Sequence, residues 1–265
     1  MLPSLLRKTV RDWRRAGTVW AVGLAGMIVM YLSFWIPYRD DARFLQDATA
    51  SLPEAVNSMF GMTDIATGPG WLQSTVYSIA GPLLVGIAAI GFGARAIAGP
   101  EDLHVMDLYL ANPISRRSMI AQRAAALVVV VGGLGLVTWV VVATMAPAVR
   151  LGVGLDRITA ATVHLLLLAL FLGMLALAAG AVTGRRGVAL AVAGSIAGLG
   201  YVWRGLADSV AVLHPWRWLS PFQYDLGADP LHRGLDLGSL AVLLIGSLVL
   251  LAVAVVGFDR RDVRA

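Results

Sequence analysis

The residues able to do chemistry are few, and their spacing does not suit it. Phosphoryl chemistry on a nucleotide-binding loop needs a Gly-rich turn and a lysine on the phosphates. The single lysine, Lys8, follows MLPSLLR, which has no glycine, so no such loop is present. Cysteine is absent, which removes disulfides, thiolate metal sites, iron–sulfur clusters and cysteine nucleophiles together. The four histidines, His104, His164, His214 and His232, show no His-x-x-x-His or histidine–carboxylate spacing on one helix. Ser195 in GSIAG would suit an intramembrane serine nucleophile, yet the later histidines fall in a loop and not in a span. These patterns predict no catalytic, cofactor or metal site.

The elements that hold these residues are set by hydrophobicity. Apolar residues make up 58% of the 265-residue chain and charged ones only 14%, against roughly 25% charged in a soluble domain. An integral membrane protein is the class that fits. A hydrocarbon core of about 30 Å needs roughly 20 apolar residues of helix. Six stretches qualify: about 18–38, 71–94, 124–149, 159–182, 187–206 and 237–258. The fifth is charge-free only as far as Arg204, which can snorkel to the interface and pair with Asp208 one turn later. The reading is an all-α, single transmembrane domain over 1–265.

With the N-terminus inside, the inner segments hold fourteen of the 21 basic residues and six of the 16 acids. The reverse orientation inverts that bias, so both termini are expected to be cytoplasmic. The net charge of +5 is then a topology signal and no sign of nucleic-acid binding. Residues 39–70 and 207–236 become extracellular loops. No cleavable signal peptide is apparent. Residues 1–17 read as an interfacial helix: Leu2, Leu5, Leu6, Val10 and Trp13 recur at helical spacing among five basic residues.

The inner loop, 95–123, has a helix–turn–helix pattern. Pro100, Glu101 and Asp102 suit a helix start, where acids complement the dipole. Leu103, Met106 and Leu110 then form an apolar stripe, stopped at Asn112-Pro113. Ser115 can cap the next helix ahead of Arg116. Such a loop is either a docking platform for a soluble partner or a plain connector.

Two features stand out inside the spans. Pro82 should kink span two and free a backbone carbonyl near Ser78. Ser74, Tyr77, Ser78 and Gly81 share one helical face there, as either a pathway lining or a polar face packed against protein. In span five, Gly194 and Gly198 form G-x-x-x-G with Ala191 one turn earlier, a surface for close helix approach within the bundle or across a dimer. His164, about one turn into span four, is either a functional intramembrane group or an interfacial histidine.

Three stretches in order carry a family resemblance. GARAIAGPED with LYLANPISRRSMIAQR (Gly93–Arg123), WLSPFQYDLGADPL (Trp218–Leu231) and FDRRDV (Phe258–Val263) resemble the membrane subunit of ABC-2-type transporters. Pro100 stands where the family often has an acid, and Arg123 where it commonly has lysine. The resemblance implies the six-span ABC-2-type (type V) exporter fold in a bacterial cell membrane. It implies a separate ABC ATPase subunit that binds ATP and Mg, and a second permease chain, identical or related. It also implies ATPase contact through the inner loop, at Glu101, Leu103, Met106, Leu110 and Arg116. The rival readings are a membrane-embedded lipid-modifying enzyme and an ATP-independent carrier or channel; a carrier predicts charges within the spans, which are nearly absent.

Overall fold

The computed structural model describes residues 5–39, 42–53, 56–57, 60–62, 64–99 and 115–261. Among them regular structure is entirely helical, and six helices are long and apolar enough to cross a membrane. These are α1 (Leu5–Tyr38), α2 (Gly68–Ala96), α3 (Arg116–Ala148), α4 (Leu155–Thr183), α5 (Arg186–Ser209) and α6 (Leu237–Asp259). Each contains one of the expected apolar stretches, apart from Val149 just past the end of α3. The helices also run on into polar sequence. Ser115 caps α3, its hydroxyl oxygen accepting from the Ser118 N–H at 3.2 Å. Arg204 and Asp208 pair at 3.3 Å, which carries α5 past its charge-free stretch.

From Leu5 onward, the helix expected over 1–17 joins the first span without a break. Residues 5–38 form one unbroken helix, about 50 Å long at 1.5 Å per residue, against about 30 Å of hydrocarbon. Leu5, Thr9 and Trp13 face inward from the extra length, and the Trp13 ring meets Phe92 at 5.1 Å. The side chain of Gln122 accepts the Leu6 N–H at 3.1 Å, satisfying a donor that the helix start would leave open. Leu5 and Trp13 of the expected apolar stripe therefore pack on protein.

Helices α2 and α4 form the centre. Gly93 and Gly173 let them touch: a Cβ added at Gly93 would collide with the Gly173 carbonyl. The Tyr77 hydroxyl adds a buried hydrogen bond to Thr162 at 2.8 Å. Helix α1 packs on α3, and α6 on α4 and α3, while α5 touches α4 and α2 along a narrow strip. The starts of α1 and α3 and the end of α6 meet through Gln122 and Arg116, so both described chain ends lie together, here called the terminal end. The opposite, loop end carries the short helices His214–Leu219, Pro221–Tyr224, Leu226–Ala228 and Pro230–Arg233.

Candidate functional site

Helix α2 is irregular where proline requires it. Pro82 has no N–H, so the Ser78 carbonyl lacks its α-helical donor. The eight residues before Gly81, Gln73–Ala80, wind as a wider π-helix, with the Gly81 N–H reaching back to Val76. The Ser74 and Thr75 hydroxyls donate to the Trp71 carbonyl at 3.1 and 2.6 Å. The freed Ser78 carbonyl accepts the Tyr201 hydroxyl of α5 at 3.1 Å.

The wider turn shifts the phase of the side chains, and the expected Ser74, Tyr77, Ser78 and Gly81 face divides. Tyr77 and Gly81 turn to α4, against Thr162 and Leu165. Ser74 is buried and bonded to its own helix. Ser78 alone of the four lines the space between α2 and α5.

That space is a chain of three cavities. A polar one of about 350 Å³ at the loop end is lined by Gln73, Ser78, Arg204, Asp208, Arg217 and His232, among others. An apolar one of about 530 Å³ follows, walled by Pro82, Leu83, Ile87, Gly198, Tyr201 and Phe222. A third, of about 320 Å³, runs to Trp20 and Arg95. The first two share Ser78; the last two share Ile87, Ile90 and Gly194. From Gln73 to Arg95 the groove follows α2 for about 30 Å, the thickness of a hydrocarbon core.

Gly194 and Gly198 open onto this groove. A Cβ at either would meet nothing within 4 Å, and Ala191 is exposed. Among the described residues, Gly194 and Gly198 are therefore not packed against another helix. Tyr201 sits three residues beyond Gly198, on the same face, and that spacing is the signal by which the sequence could have revealed it. Its ring packs edge-on to Phe222 at 5.3 Å and lies 6.4 Å from Phe60, where the polar and apolar cavities meet.

The Trp218–Leu231 stretch builds the loop-end wall. The Ser220 hydroxyl donates to the Gly200 carbonyl at 2.7 Å, and Pro221 rests against Gly200, where a side chain would crowd it. His164 anchors the same segment from α4. Its Nδ1 stands 2.9 Å from the Tyr224 carbonyl, and its Nε2 accepts the Asp236 N–H at 3.3 Å. These contacts require the neutral ring with its proton on Nδ1. Asp225 is fully buried near Arg204, and burial pushes its carboxyl up to about 8 despite the nearby guanidinium. Neither Asp225 nor the anchoring role of His164 follows from local spacing, because both depend on a loop folding back onto helices.

At the terminal end, the Arg116 Nη1 donates to the carbonyls of Phe258 at 3.2 Å and Arg261 at 2.8 Å, with its guanidinium over the Phe258 ring. Glu101, Leu103, Met106 and Leu110 lie outside the described residues.

The sequence model of a family described as ABC-2 family transporter protein matches residues 4–263. The chain belongs to that family. It is thus an ABC transporter permease component, a multi-pass membrane protein whose six apolar helices form the membrane part. No curated protein and no solved structure matches the chain. The three resembling stretches lie in this ABC-2 permease at the exit of α2 with the entry of α3, at the loop-end wall, and at the end of α6.

Proposed function

We propose that this permease is half of an ATP-driven exporter in a bacterial inner membrane, with both termini cytoplasmic. Substrate moves along the α2–α5 groove, which a second permease chain, identical or related, completes across Ala191, Gly194 and Gly198. The observation that carries this reading is the length of the groove, about 30 Å from Gln73 to Arg95, with small residues open along its α5 side. This chain binds no cofactor; ATP and Mg sit on a separate ABC ATPase subunit.

Work reaches the permease through the 95–123 loop. Leu103, Met106 and Leu110 present the apolar stripe, and burying each against a partner is worth roughly 1.5–3 kcal/mol before association costs. Glu101 acts there through the helix start that the sequence predicts or through a polar contact with the partner. Arg116 ties the loop to the end of α6, so a push on the loop is passed to that helix.

The test is purification of the permease with its ATPase subunit, read as retention and as substrate-stimulated hydrolysis. Leu103→Asp with Met106→Asp should abolish both while leaving the permease inserted and folded. Wild-type retention and stimulation in the double variant would make the loop a plain connector, and no retention by the wild-type chain would overturn the ATP-driven reading.

A further inference from the structure

The nature of the cargo is written in the two cavities that meet at Ser78, given the reading of the groove as a transport path. One cavity, of about 350 Å³, is lined by charged and amide side chains. Its neighbour, of about 530 Å³, is lined by apolar ones and lies in the size range of ligand pockets, roughly 300–1,000 Å³. A single molecule filling both is polar at one end and apolar at the other.

Hydrogen bonding at the polar end decides the sign of the head. The acids there are already engaged. Asp208 holds Arg204 at 3.3 Å, and Asp229 holds the His232 Nδ1 at 2.7 Å. Asp64 accepts the Thr67 hydroxyl at 2.7 Å and lies 3.7 Å from the His232 Nε2. Donors are left over. Arg204 meets Asp208 through Nη2, while its buried Nε and Nη1 have no hydrogen-bond partner among the described residues. Arg217 faces the His214 ring at 3.3 Å. Two acceptors are also open, Gln73 Oε1 and Gln223 Oε1, and Gln73 is only 8% exposed. The Nε–H and Nη1 groups of Arg204 leave the guanidinium on different edges, so each can make one charge-assisted bond, and Arg217 on the same cavity supplies a second cation for the same head. A phosphate O–H suits the amide oxygens.

We infer that the groove takes a membrane-borne amphipath with a phosphate-ester head, the head on Arg204 and Arg217 and the hydrocarbon chain along α2 toward Ile90. A cationic head would have to displace the arginine and histidine contacts of the same acids.

The test is a calorimetric titration of the purified permease in dodecyl maltoside micelles, which carry no phosphate, without ATPase, using dodecyl phosphate, dodecyltrimethylammonium and inorganic phosphate as probes. Dodecyl phosphate should bind at least about tenfold more tightly than either of the others, the worth of one charge-assisted hydrogen bond. Arg204→Gln and Arg217→Gln should each weaken it by about tenfold. Arg217 is exposed at the rim, so that variant keeps the test decisive if Arg204→Gln does not fold. Gly198→Leu should weaken dodecyl phosphate and leave inorganic phosphate unchanged.

Equal or tighter binding of the ammonium probe, or unchanged binding in a folded arginine variant, would overturn the assignment. Because the titration needs neither ATPase nor transport, it separates two failures. A chain that retains its ATPase and transports, but shows no preference for the phosphate probe, loses this inference and keeps the ATP-driven reading. A chain with the preference but no ATPase loses the ATP-driven reading alone.

Discussion

The Tyr201 hydroxyl donates to the Ser78 carbonyl across the gap between α2 and α5, at 3.1 Å. The acceptor is the one that Pro82 leaves without a helical partner, so a break in one helix is satisfied by a side chain from its neighbour. This bond is a specific polar tie between the fixed centre of the bundle and its least buried helix.

Tyr201→Phe should therefore cost about 1 kcal/mol of stability, the net worth of one such bond. Pro82→Ala returns an N–H to the helix, so the same change should cost less in that background. Thermal unfolding of the four proteins in detergent gives the coupling directly. Additive effects would show that the tyrosine is not answering the proline.

Glycines in the two helices should respond oppositely. Gly93→Ala drives a Cβ into the Gly173 backbone and should destabilise the fold by about 1–3 kcal/mol. Gly198→Leu meets open space and should stay within about 0.5 kcal/mol of wild type while lowering transport. Melting and transport measured on the same preparations check both, and full transport in Gly198→Leu would remove the groove from the path.

Asp225 makes stability depend on pH. Its folded value, about 8, is above the unfolded 3.8, so the folded chain holds a proton that the unfolded chain releases between these values. The contribution is complete below about pH 4 and is lost as pH rises towards 8. Asp225→Asn keeps the neutral shape and should flatten this slope, melting higher than wild type at pH 9. Identical pH profiles would mean that the acid is ionised in the folded state.

His164→Leu removes two hydrogen bonds that fasten the loop-end wall to α4. A loss of about 2 kcal/mol is expected, together with faster proteolysis between residues 210 and 236. An unchanged digestion pattern would reduce the ring to a packing role.

The spans were legible because a hydrocarbon core imposes a length that few other structures share. The freed carbonyl at Ser78, the Ser115 cap and the Arg204–Asp208 pair were legible too, since each is a local rule applied within one helix. The facing of α2 was not. An i, i+3, i+4, i+7 stripe assumes an α-helical period, and the π segment changes that period inside the stripe. Gly194 and Gly198 announced a close approach without saying to what. The continuity of α1 was hidden because a basic cluster reads equally well as an interfacial helix or as the protruding end of a longer one. The placement of Asp225 and Phe222 beside α5 depends on a loop folding back, which no periodicity records.

Only Gly184 and Arg185 separate α4 from α5, and Gly184 takes the left-handed conformation, φ 69°, that closes the first of these helices. So short a joint fixes one end of a 24-residue helix against the centre of the bundle. The helix behaves as a lever about 36 Å long, and a tilt of about 10° swings its far end by roughly 6 Å. Arg204, Tyr201 and the Ser220 latch all ride on or near that far end. A small rotation at the turn would therefore open the loop end widely, at the cost of the Tyr201–Ser78 bond, and leave the terminal end almost unmoved.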